Sequence, residues 1–193
     1  ALENLPSSKN IRIHGHSRGC GVILEAARQR PELFRHVDVV LESPVMPQGD
    51  IHALVKAILE PVSHGMWPWV VRAINSTPSS TYGQTFFGRM NPRKKQLLTK
   101  MFTATKDHLT IVRNIENLLA WMEQCDYDVL QNIRHGTILI PETDRILDRE
   151  RMLRSAEHSP TAVRIVETRN TSHFITLDSA EWVPSLGDIP RVA

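Results

Sequence analysis

The sequence lacks the features of membrane-spanning, disulfide-stabilised and nucleic-acid-binding proteins. No apolar stretch of about eighteen residues, the length that a helix needs to cross a bilayer, occurs in the chain. Cys20 and Cys125 are its only cysteines, too few for a disulfide framework, and they favour a reduced, cytoplasmic setting. Because 23 Lys and Arg residues nearly balance 21 Asp and Glu residues, we expect no nucleic-acid partner.

Metal-binding patterns are also missing. The 9 histidines contain no His-x-x-x-His pair, and the two cysteines do not form a Cys-x-x-Cys pair. The sequence therefore predicts neither a metal site nor a cofactor, and it leaves the oligomeric state open. With 193 residues, of which 41% are hydrophobic, the chain is long and apolar enough to form a domain with a substantial core.

Strand-like and helix-like segments alternate at both ends of the chain, whereas the middle is helical. Alternation of this kind predicts an α/β fold with a mostly parallel sheet and crossover helices. In the middle we expect helices from Ile51 to Leu59, stopping before Pro61, from Pro92 to about Thr105, and from Lys106 to about Gln124. Residues 1–47 and 135–193 are accordingly assigned to an α/β core, and residues 48–134 to a helical insertion.

The sequence Gly15-His16-Ser17-Arg18-Gly19 lies between a strand-like run, 11–14, and a helix-like run, 21–28. A G-x-S-x-G turn that joins a strand to a helix is a nucleophile elbow, in which the serine is held on a sharp bend above the sheet edge. We expect Gly15 and Gly19 to be needed because side chains there would collide where strand and helix converge. The backbone N–H of Arg18 would face the oxyanion of a tetrahedral intermediate.

Two further apolar segments end at residues that complete a catalytic set. The run from Thr137 leads into a polar turn with Asp144, and the run from Val163 leads into a loop with His173. With Ser17 these residues stand in the order Ser, Asp, His, which is the chain order of the α/β-hydrolase triad. On these motifs the sequence resembles the α/β-hydrolase superfamily, over residues 11–47 and 135–184.

The resemblance implies a role for each of these side chains. Ser17 would be the nucleophile, His173 the general base, and Asp144 the acid that orients the imidazole. Glu42, at the end of the next predicted strand, is the alternative acid, because some family members carry their acid there. Asp148 instead fits the N-cap of a helix over residues 149–157.

The sequence departs from the family pattern at two positions. Pro141 and Ser172 stand where glycine is usual, although neither change removes a reacting group.

The helical insertion, residues 48–134, resembles the lid of capped family members. A lid of this kind would close over Ser17 and shape the acyl pocket, so we expect aromatic side chains from it to contact substrate. The candidates are Trp67, Trp69, Phe86 and Phe87.

The resemblance implies hydrolysis of a carboxylic ester or thioester, a small-molecule substrate, through an acyl-enzyme. An acyltransferase with the same triad and a non-catalytic hydrolase-like binding module are the alternatives. The family's core also places several strands and a second oxyanion donor before the nucleophile. Since Ser17 stands so near the first residue, we expect a partial α/β-hydrolase fold in which the strand before Ser17 is a sheet edge.

Overall fold

A parallel sheet organises the chain in the computed structural model, which describes residues 11–61, 64, 66, 69, 84, 86–104 and 108–182. Within these residues the sheet has four strands, in the order β1-β2-β3-β4. The strands are β1 (Ile11–His16), β2 (Val37–Glu42), β3 (His135–Ile140) and β4 (Val163–Glu167). All neighbouring strands pair in parallel, which confirms the predicted α/β class, and β1 lies at an edge of the described sheet.

Helices lie in the connections between the strands and after β4, and their bounds differ slightly from those that the sequence predicts. They are α1 (Arg18–Gln29), α2 (Ala53–Pro61), α3 (Pro92–Ala104), α4 (His108–Gln124), α5 (Arg149–Ala156) and α6 (Ile175–Asp178). The predicted start of α2 at Ile51 is wrong, because Ile51 instead forms an antiparallel bridge with Leu147. The predicted stop before Pro61 is also wrong, because α2 includes Pro61, a difference of the size usual at helix ends. Asp148 caps α5 as predicted, accepting a hydrogen bond from the backbone N–H of Arg151 at 3.0 Å.

The core lies on both faces of β2, and every residue of that strand is buried. Alternate side chains of a strand point to opposite faces. Val39 and Leu41 belong to the larger cluster, which also contains buried residues of α1, α4 and α5, whereas Val40 packs with Leu139 and Ile175 on the other face. Since Met122 of α4 belongs to the larger cluster, part of the predicted insertion contributes to the main core; the boundary at residues 48–134 stays a prediction.

No helix in the described part of the chain is both long and apolar enough to cross a membrane.

The turn between β1 and α1 holds Ser17 in an unusual backbone conformation, with φ 53° and ψ −120°. A residue other than glycine in such a region costs about 1–3 kcal/mol and persists only where its surroundings hold it. Here the backbone N–H of Ser17 donates to Glu42 O at 2.9 Å, and Ser17 O accepts from the N–H groups of Cys20, at 3.0 Å, and Val45, at 3.2 Å. The neighbouring strand therefore fixes the bend.

The two glycines that flank this turn are not equivalent. A Cβ on Gly15 would lie 2.6 Å from Cδ1 of Ile23 and 3.1 Å from the backbone N of Cys20. A Cβ on Gly19 would meet no atom within 4 Å in the described part of the chain. The expectation that Gly19 is sterically required is thus wrong here, because Gly19 lies in the first turn of α1 with open space around the Cβ position.

We predict opposite stability effects for alanine at these two positions. Gly15→Ala should lower the free energy of unfolding by about 1–3 kcal/mol, because the added methyl group overpacks the turn against α1. Gly19→Ala should raise it by about 0.5–1 kcal/mol, because alanine restricts the unfolded chain and favours helix. Urea denaturation of both variants measures the difference, and equal effects would contradict the steric distinction.

Candidate active site

The predicted site residues lie at one edge of the sheet. Ser17 directly follows β1, Glu42 ends β2, Asp144 lies in the loop after β3, and His173 lies in the loop after β4. Because the strands are parallel, these positions share the carboxyl edge, where open α/β sheets bind their ligands. The topology therefore brings together four segments that are far apart in sequence.

Asp144 and His173 form a buried hydrogen-bonded pair. His173 Nδ1 lies 2.8 Å from Asp144 Oδ2, and the two residues are 3% and 6% exposed. The other carboxylate oxygen, Oδ1, accepts from the backbone N–H groups of Ile146, at 2.7 Å, and Leu147, at 2.9 Å. An imidazole that donates its Nδ1 proton to a carboxylate keeps Nε2 as a proton acceptor. The pair thus has the chemistry of a general base with its orienting acid.

Threonines join the loop that carries Asp144 to the loop that carries His173. The hydroxyls of Thr168 and Thr171 lie 2.6 Å apart, and the Thr168 hydroxyl donates to Ile140 O at 3.0 Å. The backbone N–H of Thr143 donates to Thr171 O at 3.1 Å. These bonds fix the two loops relative to each other, so that the distance between the acid and the imidazole does not depend on one contact alone.

His16 connects the Ser17 turn to the His173 loop, a role that no sequence pattern indicated. Its Nε2 donates to His173 O at 2.9 Å, and its ring stacks on Phe174 with centroids 4.8 Å apart. Burial lowers the pKa of His16, and the nearby imidazole of His173 lowers it further. The contacts of the His16 ring with His173 O and Phe174 therefore link the Ser17 turn to the His173 loop. The Ser17 side chain, at the N-cap of α1, makes no capping hydrogen bond to that helix.

Arg18 is the first residue of α1, directly after Ser17. The first N–H groups of a helix have no partner within it, and the helix dipole favours negative charge at that end. The backbone N–H of Arg18 accordingly has the character that an oxyanion donor requires. The Arg18 side chain is exposed.

Glu42, the alternative acid, is bound to other groups. Its carboxylate contacts His14 Nε2 at 2.9 Å and accepts the backbone N–H of Thr176 at 2.8 Å and the Thr176 hydroxyl at 3.0 Å. Burial by itself would raise the pKa of Glu42, but the hydrogen bonds from His14 and Thr176 outweigh it, and the pKa is lowered. Glu42 thus anchors α6, whereas the carboxylate on the His173 ring is that of Asp144.

The aromatic residues expected to contact substrate have different surroundings. Trp67 lies outside the described residues, and Trp69 is 66% exposed. The ring of Phe87 lies 5.7 Å from that of Phe174 and 6.2 Å from that of Phe86, measured between centroids. The ring of Phe174 therefore lies between those of Phe87 and His16, and the ring of Phe86 adjoins that of Phe87. Their contact with substrate stays a prediction.

A resident metal would require several ligands to converge. In the described ranges of the chain, no group of three or more His, Cys, Asp or Glu side chains has such an arrangement.

Comparison with known proteins gives a family for this architecture. The model of the alpha/beta hydrolase family matches residues 3–184 of the chain. A search of curated proteins finds no significant match.

Solved structures that share this fold include enzymes with different activities in their names. The chain is similar to 2-hydroxy-6-oxo-6-phenylhexa-2,4-dienoate hydrolase from Rhodococcus sp. strain RHA1, with 17% identity and a TM-score of 0.60, covering 89% of this chain and 60% of that one. It is also similar to carboxylesterase CesB from Bacillus subtilis, with 14% identity and a TM-score of 0.55, covering 92% of this chain and 58% of that one. A bromoperoxidase from Bacillus anthracis is similar with 14% identity and a TM-score of 0.60, covering 90% of this chain and 64% of that one.

These identities establish the fold alone, and the chain spans about three fifths of the length of the compared structures. The family model, in contrast, matches nearly the whole chain. The chain belongs to the alpha/beta hydrolase family.

Proposed function

We propose that the site hydrolyses a carboxylic ester or thioester through an acyl-enzyme formed on Ser17. The observation that carries this proposal is the buried Asp144–His173 pair, at the same sheet edge as the strained Ser17 turn. The family match supports a hydrolase, and the similarity to a carboxylesterase structure favours ester chemistry.

In the proposed reaction Ser17 Oγ attacks the substrate carbonyl carbon while His173 Nε2 takes the hydroxyl proton. The carboxylate of Asp144 stabilises the imidazolium that forms. The backbone N–H of Arg18 donates to the oxyanion, and the tetrahedral intermediate then expels the alcohol or thiol, which receives its proton from His173. Water repeats the sequence on the acyl-enzyme and releases the carboxylic acid.

The contact between Ser17 and His173 is expected to form with substrate. Catalytic hydrogen bonds in unliganded enzymes are often long and tighten in the Michaelis complex. The bond from His16 to His173 O supports this expectation, because it keeps the residue next to Ser17 in contact with the histidine loop.

Two alternative functions differ from ester hydrolysis in what happens at Ser17. An acyltransferase would pass the acyl group from Ser17 to an acceptor other than water, so that a new ester or amide appears instead of the free acid. A non-catalytic binding module would form no acyl-enzyme at all.

Substitution of the nucleophile tests the proposal directly. We predict that a fluorophosphonate probe labels the wild-type chain and not Ser17→Ala, and that the substitution lowers kcat toward p-nitrophenyl esters of graded acyl length by about 10⁶-fold. Ser159→Ala is the matched control, because the buried Ser159 hydroxyl has no hydrogen-bond partner in the described structure and lies before β4. A folded wild-type chain that resists the probe, or labelling that survives in Ser17→Ala, would overturn the proposal.

A second prediction distinguishes the two candidate acids. Asp144→Asn should lower kcat by about 10⁴-fold, because the amide cannot stabilise the imidazolium or its tautomer. Glu42→Gln should lower it far less, since its carboxylate contacts His14 and Thr176 and not the imidazole. Steady-state kinetics of both variants give the comparison. If Glu42→Gln abolishes turnover while Asp144→Asn preserves it, the acid is Glu42.

A further inference from the structure

A fully buried lysine connects helix α3 to the segment that carries His173. Lys94, in the first turn of α3, has 0% exposure. Lysine is rarely buried without a partner, because removing its charge from water is costly. The burial of the Lys94 ammonium group therefore needs an explanation other than the roles proposed for Ser17, Asp144 and His173.

The Lys94 ammonium group is surrounded by acceptors from two parts of the chain. Nζ forms an ion pair with Asp178 and donates to Ser172 Oγ at 3.2 Å. Ser172 directly precedes His173 in sequence, and Asp178 is the last residue of α6, the helix that follows His173. It also donates to the carbonyl oxygens of Phe87, at 2.6 Å, and Arg89, at 3.2 Å. One side chain thus joins residues 87–94 to residues 172–178.

Ser172 and Asp178 complete the link around the histidine. Asp178 Oδ2 accepts the backbone N–H of Ser172 at 2.7 Å and lies 2.6 Å from the Ser172 hydroxyl. That hydroxyl also lies 2.7 Å from Phe87 O, so that either oxygen can accept its proton. Asn91 Nδ2 adds a bond to Leu177 O at 2.6 Å. The loop is therefore closed on itself by Asp178 and held to the helical region by Lys94.

The serine before the histidine matters for this arrangement. Ser172 stands where the family pattern usually has glycine, and a glycine would supply neither the hydroxyl nor its contacts. On the opposite side, Gly88 has φ 66°, and a Cβ there would lie 2.7 Å from Ser172 Cβ. The close approach of residues 87–94 to residues 172–178 thus depends on the Ser172 side chain and on the lack of a side chain at Gly88.

We propose that Lys94 is a positioning residue that, through Asp178 and Ser172, holds His173 in register with Asp144. The inference rests on the proposed function. Lys94 contacts none of the reacting groups, so it acts through the loop. Loss of one partner of a buried ion pair is strongly destabilising, because it leaves the other charge desolvated and unpaired. Docking of residues 87–94 therefore sets whether the histidine is correctly held.

Proton NMR tests this link without turnover. The His173 Nδ1 proton, hydrogen-bonded to Asp144, should give a strongly downfield resonance that is identified by its loss in Asp144→Asn. We expect Lys94→Met to lose or broaden this resonance, and the double variant Lys94→Met/Asp178→Asn, which buries no unpaired charge, to do the same while its circular dichroism remains that of the wild type. Lys95→Met is the matched control, because Lys95 is the exposed neighbour on the same helix.

Kinetics provide the second readout. In the double variant kcat should fall by about tenfold to a hundredfold with KM little changed, since small displacements of a catalytic group have effects of that size. A folded double variant that matches Lys95→Met in both resonance and kcat would overturn the inference, as would global unfolding of the double variant, which would make the pair a general stability element. A wild-type chain that has the resonance but resists the fluorophosphonate probe would instead contradict the proposed function.

Discussion

The hydrogen bond between Asp144 and His173 is the interaction on which the site depends. It joins the loops after β3 and β4 at 2.8 Å in a buried setting, and it determines which imidazole nitrogen is free to accept a proton. The bond from the backbone N–H of Thr143 to Thr171 O, which joins the two loops, and the bond from His16 to His173 O support the same geometry. In the reaction that we propose, the Ser17 hydroxyl would have no base without this pair.

The features that could be predicted from the sequence are those with local signals. The glycine spacing around Ser17, between a strand and a helix, predicted the turn that the structure has, and alternating segments predicted the parallel sheet. Parallel topology then implied that residues following the strands converge at one edge. Asp148 was recognisable as a helix cap because capping depends on residue type and position alone.

The features that could not be predicted depend on contacts between distant segments. The glycine spacing predicted the same steric requirement at Gly15 and Gly19. Only the Cβ position of Gly15 is crowded, by Ile23 and Cys20. Glu42 was a plausible acid by position, yet His14 and Thr176 hold its carboxylate. Lys94 gave no signal at all, because an exposed and a buried lysine are identical in sequence. Ser172, a departure from the family pattern, was the one available indication of that cluster.

A crystal structure of the chain after reaction with a fluorophosphonate tests the proposed site most directly. We predict a covalent phosphorus adduct on Ser17 Oγ, with a phosphoryl oxygen within hydrogen-bond distance of the Arg18 backbone N–H and His173 Nε2 next to the adduct. An adduct on another residue, or an imidazole at position 173 that is remote from Ser17 and separated from Asp144, would contradict it.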